Sequence, residues 1–180
     1  PDLDLVKNIT TWYRNSTPIL ALNMPFERIN GTSTNNAWDY SGFGSNGSDQ
    51  GGVTWNATGG YDGRGAYEFN GSQSINLTNY DTIRINTSIS LEARIRPTTI
   101  SSTELHYFLA KGDDDFYATV AYQLGVTASG GSRAFLRISN GTDFIFRYSI
   151  IGSVTAGNSW YHVVAVYNRT NMSIYVNGEL

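Results

Sequence analysis

Few residues of this chain carry groups that could do chemistry, and their spacing says more than their number. The glutamates stand at Glu27, Glu68, Glu92, Glu104 and Glu179, far apart along the chain. No two share alternate positions of one strand, where carboxyl groups about 5 Å apart could serve as acid and nucleophile in glycoside hydrolysis. Glu92 alternates with Arg94 and Arg96, cationic company that is wrong for a carboxyl group meant to hold its proton. The two histidines, His106 and His162, fall in strand-like apolar runs, where a packed or edge imidazole is expected rather than a base. There are no cysteines, so disulfides, thiolate metal sites and thiol nucleophiles are excluded. Asp113, Asp114 and Asp115 are consecutive; adjacent carboxylates cannot all face one ion, and they read as a solvated turn. No catalytic constellation emerges, and the chain reads as non-enzymatic.

A second pattern concerns covalent modification. Asn-x-Ser/Thr triplets begin at Asn8, Asn15, Asn30, Asn46, Asn56, Asn70, Asn76, Asn86, Asn140, Asn168 and Asn171. Asn15 is a poor acceptor, because Pro18 follows its triplet. The other ten are candidate N-glycosylation sites. Nearly all fall in expected turns or at strand ends, where a bulky sugar leaves a core undisturbed. Turn-rich chains make such triplets by composition alone, but the excess here is larger than that effect. It points to an extracellular protein, secreted or held at a cell surface.

The elements that must position these residues are extended. Charged residues make up only 15% of the chain and aromatics 13%, which separates it from disordered sequences, rich in charge and poor in aromatics. A net charge of −3 gives no basic field for nucleic acid, and no apolar run reaches the roughly twenty residues needed to span a bilayer as a helix. No window holds a helical apolar period. Instead, short alternating segments recur, separated by Gly, Asn and Ser turns, as in an antiparallel β-sandwich. The sequence predicts strands at Leu3–Val6, Thr10–Arg14, Ile19–Glu27, Ala66–Asn70, Ser74–Leu77, Ser88–Arg96, Leu105–Ala110, Thr119–Thr127, Ala134–Ser139, Asp143–Ile150, Trp160–Tyr167 and Met172–Val176. Asn70-Gly71 and Asn177-Gly178 are hairpin signals. Residues 28–65 form a long stretch of little periodicity, a kind of segment that is often functional. In the strand at 88–96, Ile89, Leu91, Ala93 and Ile95 are expected to face inward, leaving Glu92 and Arg94 outside. Leu124 and Val164 are expected in the core with Trp160. Gln123, Phe135, Arg137 and Arg147 are expected on outward registers, making a polar face with one aromatic ring.

Several ordered motifs resemble one family. Leu22-Asn-Met-Pro-Phe-Glu27, Asp39-Tyr-Ser-Gly-Phe-Gly-Ser-Asn-Gly47, Gly60-Tyr-Asp-Gly-Arg-Gly-Ala-Tyr-Glu-Phe-Asn-Gly71, Ser90–Arg96, Ala110-Lys111-Gly112 with Tyr122-Gln-Leu124, and Trp160–Glu179 with its Trp-Tyr-His-Val and Tyr-Val-Asn-Gly strands occur in sequence. Together they are similar to laminin-G-like domains of the concanavalin A-like lectin/glucanase superfamily, from Ile19 to Leu180. That resemblance implies a two-sheet jelly roll used for extracellular recognition or adhesion toward a glycan or a surface protein. A structural spacer in a glycosylated surface protein is the alternative.

The family's Gly-x-Ile-Asp-Glu segment beyond the last turn is absent, so the chain reads as part of a longer protein. Residues 1–18 read as a linker or as the tail of a preceding module, which Trp12-Tyr13-Arg14-Asn15 makes resemble an immunoglobulin-like one, and 19–180 as the jelly roll lacking its last strands. The resemblance also implies Asp39 as the candidate ligand for calcium, against a plain role in its own turn. Candidate ligand-binding residues are Trp38, Tyr40 and Phe43 at a loop rim, and Phe135, Arg137 and Arg147 on a sheet face. Trp55 is expected to plug a sandwich end.

Overall fold

The computed structural model describes residues 11–27, 29–30, 36–77, 81–85, 87–112, 122–139 and 143–180. The strand expected at Leu3–Val6, the acceptors Asn8, Asn86 and Asn140, the Asp113–Asp115 run and the start of the strand expected at 119 lie outside the described residues, as does the side chain of Asn30. Among the described residues there is no helix, and all strand pairs are antiparallel. The chain forms two compact units, Pro1–Arg84 and Ile85–Leu180.

The first unit is built of short strands. β1 (Tyr13–Arg14) and β2 (Thr17–Pro18) pair around Asn15 and Ser16, both at positive φ, the backbone of a tight two-residue hairpin. The segment Ile19–Glu27 was expected to be a strand and is irregular instead. Pro25 lacks a ladder donor, and Phe26 adopts φ 60°, which breaks the extended path. Residues 28–65, expected to be without periodic structure, contain β3 (Ile29–Asn30), β4 (Asn36–Ala37), β5 (Gly47–Gln50) and β6 (Thr54–Asn56).

β7 (Ala66–Glu68) and β8 (Ser74–Leu77) flank Asn70-Gly71, yet they do not pair with each other. β7 pairs with β6, while β8 closes a four-stranded sheet of order β3-β4-β5-β8. The turn therefore links two sheets rather than closing a hairpin. Gly71, at φ 99°, still supplies the positive φ that the Asn-Gly signal announces.

The second unit is a sandwich. One sheet has the order β10 (His106–Lys111), β11 (Tyr122–Thr127), β12 (Arg133–Ser139), β13 (Phe144–Tyr148); the other has β15 (Met172–Val176), β14 (Tyr161–Tyr167), β9 (Ile89–Ile95). Ile89 and Leu91 of β9, Val163 and Ala165 of β14, and Ile174 and Val176 of β15 meet Tyr122, Leu124, Val126, Leu136 and Ile138 in one core. Fully burying an aliphatic side chain of this size contributes about 1.5–3 kcal/mol.

Val164 was expected in this core, but the register pairs it with Glu92 and Tyr175, on the outer face, while its neighbours Val163 and Ala165 point inward. Four consecutive apolar residues, Val163 to Val166, hide the phase of the alternation. Trp160, also expected inside, is half-buried, with the Arg96 guanidinium 5.2 Å from its ring centre. Asn177 and Gly178 lie at positive φ, and Val176 and Glu179 exchange backbone bonds of 2.8 and 3.1 Å, as the Asn-Gly signal predicts.

Candidate functional site

β11 and β12 are buried on both faces, from Tyr122 to Thr127 and from Ala134 to Ser139. One face looks into the sandwich core. The other carries Gln123, Gly125, Phe135 and Arg137, and it is roofed largely by rings. The pairing sets Phe135 opposite Tyr148, Arg137 opposite Phe146 and Ser139 opposite Phe144, while Tyr107 of β10 lies opposite Gly125. Residues directly opposite one another share a face. Phe144, Phe146 and Tyr148 thus stand in a row beside Phe135 and Arg137.

Phe135 contacts Tyr107 edge-on at 5.7 Å between ring centres, and Phe146 and Tyr148 at 6.3 and 6.4 Å. Phe146 and Tyr148 are parallel within 7°, 5.8 Å apart. Two guanidinium groups interleave with the rings. Arg137 sits 3.8 Å from the Phe144 centre and donates from Nη1 to the Tyr107 hydroxyl at 3.1 Å, and Arg133 sits 4.1 Å from the Tyr148 centre. Such cation–π contacts hold flat groups in place and strengthen as they are desolvated.

Gly125 makes the arrangement possible. A Cβ there would lie 2.3 Å from the His106 carbonyl oxygen and 2.7 Å from the Phe135 ring. The ring lies over the bare backbone.

The strip differs from the face read in the sequence. Phe135 and Arg137 do share it, but they are 0% and 8% exposed, so they support the surface rather than form it. Phe146 and Tyr148, at 37% and 36%, are what a ligand could touch. Arg147 pairs with Leu136 and so belongs to the opposite face. Instead of one aromatic ring there are five. The signal was present in Phe144-Ile-Phe-Arg-Tyr148, whose aromatics alternate, and it was missed because the register to β12 was unknown.

The loop-rim candidates Trp38, Tyr40 and Phe43 lie in the first unit. Trp38 and Tyr40 are half-buried and Phe43 is exposed. Tyr40 is fixed through its backbone, its N–H donating to Asn23 and its carbonyl accepting from the Thr11 hydroxyl. Trp55 is half-buried and donates from Nε1 to the Phe26 carbonyl at 2.8 Å, which fixes it within the first unit.

Asp39, between Trp38 and Tyr40, is buried. Its Oδ1 accepts from the backbone N–H of Asn23 and Ser41, and its Oδ2 from the Ser41 hydroxyl and the Ser45 N–H, all within 3.0 Å. A carboxylate has about four lone-pair positions, and here four donors use them. Calcium needs six to eight oxygens with lone pairs turned toward it. Asp39 does not fit that role; it organises the loop. Among the described residues no three His, Cys, Asp or Glu side chains group as a metal site.

The carboxylates are dispersed. Glu92 pairs with His162 at 2.8 Å on an exposed face, Glu68 accepts from Asn56 at 2.9 Å, and Glu27 is buried. His106 accepts the Ser101 N–H on Nε2 at 2.9 Å. Two phenols titrate abnormally. Burial, with the Asp49 carboxylate adding to it, pushes Tyr67 up to about 12, and burial alone pushes Tyr122 up to about 12, since a desolvated phenolate is disfavoured.

The comparisons with known proteins agree with this architecture. A laminin-G-like family model, described as concanavalin A-like lectin/glucanases superfamily, matches residues 69–180. No curated protein and no solved structure matches the chain. The superfamily holds both lectins and glucanases. Antiparallel sheets, a sandwich core in the second unit and a family match over more than half the sequence lead to one conclusion: the chain belongs to the concanavalin A-like lectin/glucanases superfamily, as a laminin-G-like jelly roll.

Proposed function

We propose that this chain is a non-catalytic extracellular recognition module that binds carbohydrate on the strip formed by Phe146, Tyr148 and their supporting residues. One observation carries the reading: two parallel, partly exposed rings are held on a strand and backed by a buried ring and two guanidinium groups. Pyranose rings present apolar C–H faces that lie on aromatic rings, while their hydroxyl groups take donors from neighbouring polar side chains. Rings fixed before binding lose little freedom when the ligand arrives. The dispersed glutamates support binding without hydrolysis, since a glycosidase needs two carboxyl groups facing one bond.

Affinity electrophoresis through gels containing neutral polysaccharides tests the proposal. Wild-type protein should be retarded on at least one polysaccharide, and Phe146→Ala/Tyr148→Ala protein should run freely while keeping its thermal transition. Equal retardation of both proteins, or none of the wild type across the panel and a broad glycan array, would count against it. Release of reducing sugar from a β-glucan would overturn the non-catalytic part.

A further inference from the structure

The Asn-x-Ser/Thr triplets are alike in sequence but not in the fold. Asn70 is exposed in the turn between β7 and β8. Its Oδ1 accepts both the N–H and the hydroxyl of Ser72, at 3.1 and 3.0 Å. Asn168 is exposed in the turn joining β14 to β15, where Oδ1 accepts the N–H of Thr170 and of Asn171, at 3.0 and 2.7 Å. In both, the carbonyl side of the amide is turned back into its own turn. Among the described residues Nδ2 donates to nothing.

Asn46 and Asn56 are held differently. Asn46 is half-buried and caps the Asp39 N–H with Oδ1 at 2.9 Å. Asn56 is half-buried; its Oδ1 accepts the N–H and hydroxyl of Thr58 at 3.1 and 3.4 Å, as Asn70 does with Ser72, but its Nδ2 is engaged, donating to the Glu68 carboxylate at 2.9 Å across the β6–β7 pair.

We infer that the folded chain accepts N-linked sugar at Asn70 and Asn168 and excludes it at Asn46 and Asn56. The donor is a polyprenyl-pyrophosphate-linked oligosaccharide. A bond forms between Nδ2 and sugar C1 as the C1–O bond to phosphate breaks. The pyrophosphate leaves with the bonding pair, and Nδ2 gives up one proton to an enzyme base. At the two turns the incoming sugar meets solvent. At Asn56 it would enter beside the Glu68 carboxylate, and at Asn46 it would have to displace the loop that encloses Asp39.

The inference concerns the folded state and does not depend on the recognition strip. Purified folded protein is incubated with the lipid-linked donor and a single-subunit oligosaccharyltransferase that modifies all four sequon peptides when they are free. Site occupancy is then read by mass spectrometry. Occupancy at Asn70 and Asn168 should exceed that at Asn46 and Asn56 by about tenfold, while the free peptides stay within about threefold of one another. Ser72→Ala and Thr170→Ala should each abolish only their own site, Asn171 with Ser173 remaining intact as a neighbouring triplet. Comparable occupancy of all four sites in the folded protein would overturn the inference, as would modification confined to Asn46 or Asn56.

Discussion

At the scale of single residues, small changes at Gly125 and Asp39 should have effects out of proportion to their size. A methyl group at position 125 collides with backbone on one side and the Phe135 ring on the other. Gly125→Ala should therefore cost about 1–3 kcal/mol, measured by denaturant unfolding, and should weaken polysaccharide retention by tilting Phe135 under Phe146 and Tyr148. Asp39→Asn keeps the size but replaces one acceptor by a donor facing the Ser41 hydroxyl or the Ser45 N–H. A loss of about 1–3 kcal/mol is expected, and chelator should leave the melting temperature of the wild type unchanged. Asp39 was visible in the sequence as either a calcium ligand or a turn residue. Only the four donors around it, two of them six and sixteen positions away in the chain, decide between those roles, and distant partners are not written in a local motif.

At the scale of elements, alternation identified β9, β14 and β15 almost to the residue, because their apolar positions are regular and turn residues bound them. It failed where more than one phase fits. Val163, Val164, Ala165 and Val166 are all apolar, so the inward pair emerged only from the ladder with β9 and β15. The Asn70-Gly71 signal described the turn correctly and its partners wrongly, since a turn's backbone is local and a strand's neighbour is not. The strip was hidden for the same reason: β13 displays its aromatic row, but the Arg137 and Phe135 beneath it come from another strand. Removing one exposed ring should weaken binding by about tenfold, so Phe146→Ala and Tyr148→Ala can be compared singly by retardation. Ile174→Ala, deep in the sandwich, should instead cost about 2–5 kcal/mol of stability and leave the affinity of the folded fraction unchanged.

At the scale of the whole molecule, titration offers a test that needs no mutation. Tyr67 and Tyr122 hold their protons up to about 12 when folded, whereas unfolded tyrosine ionises near 10. Between those values the unfolded chain binds fewer protons than the native one, so stability falls as pH rises. The native state should keep this contribution in full below about pH 10 and lose it on the way to about 12. Phenolate absorbance should therefore show a late-titrating fraction that coincides with the loss of ellipticity. The burial of β11 and β12 on both faces has a further consequence, for motion rather than binding. β11 is bonded along both edges and screened above and below, so reaching its amide hydrogens requires opening of the surrounding layers. Deuterium should enter Tyr122–Thr127 last, at a rate set by global opening of the second unit, and enter the terminal strand β13 far sooner.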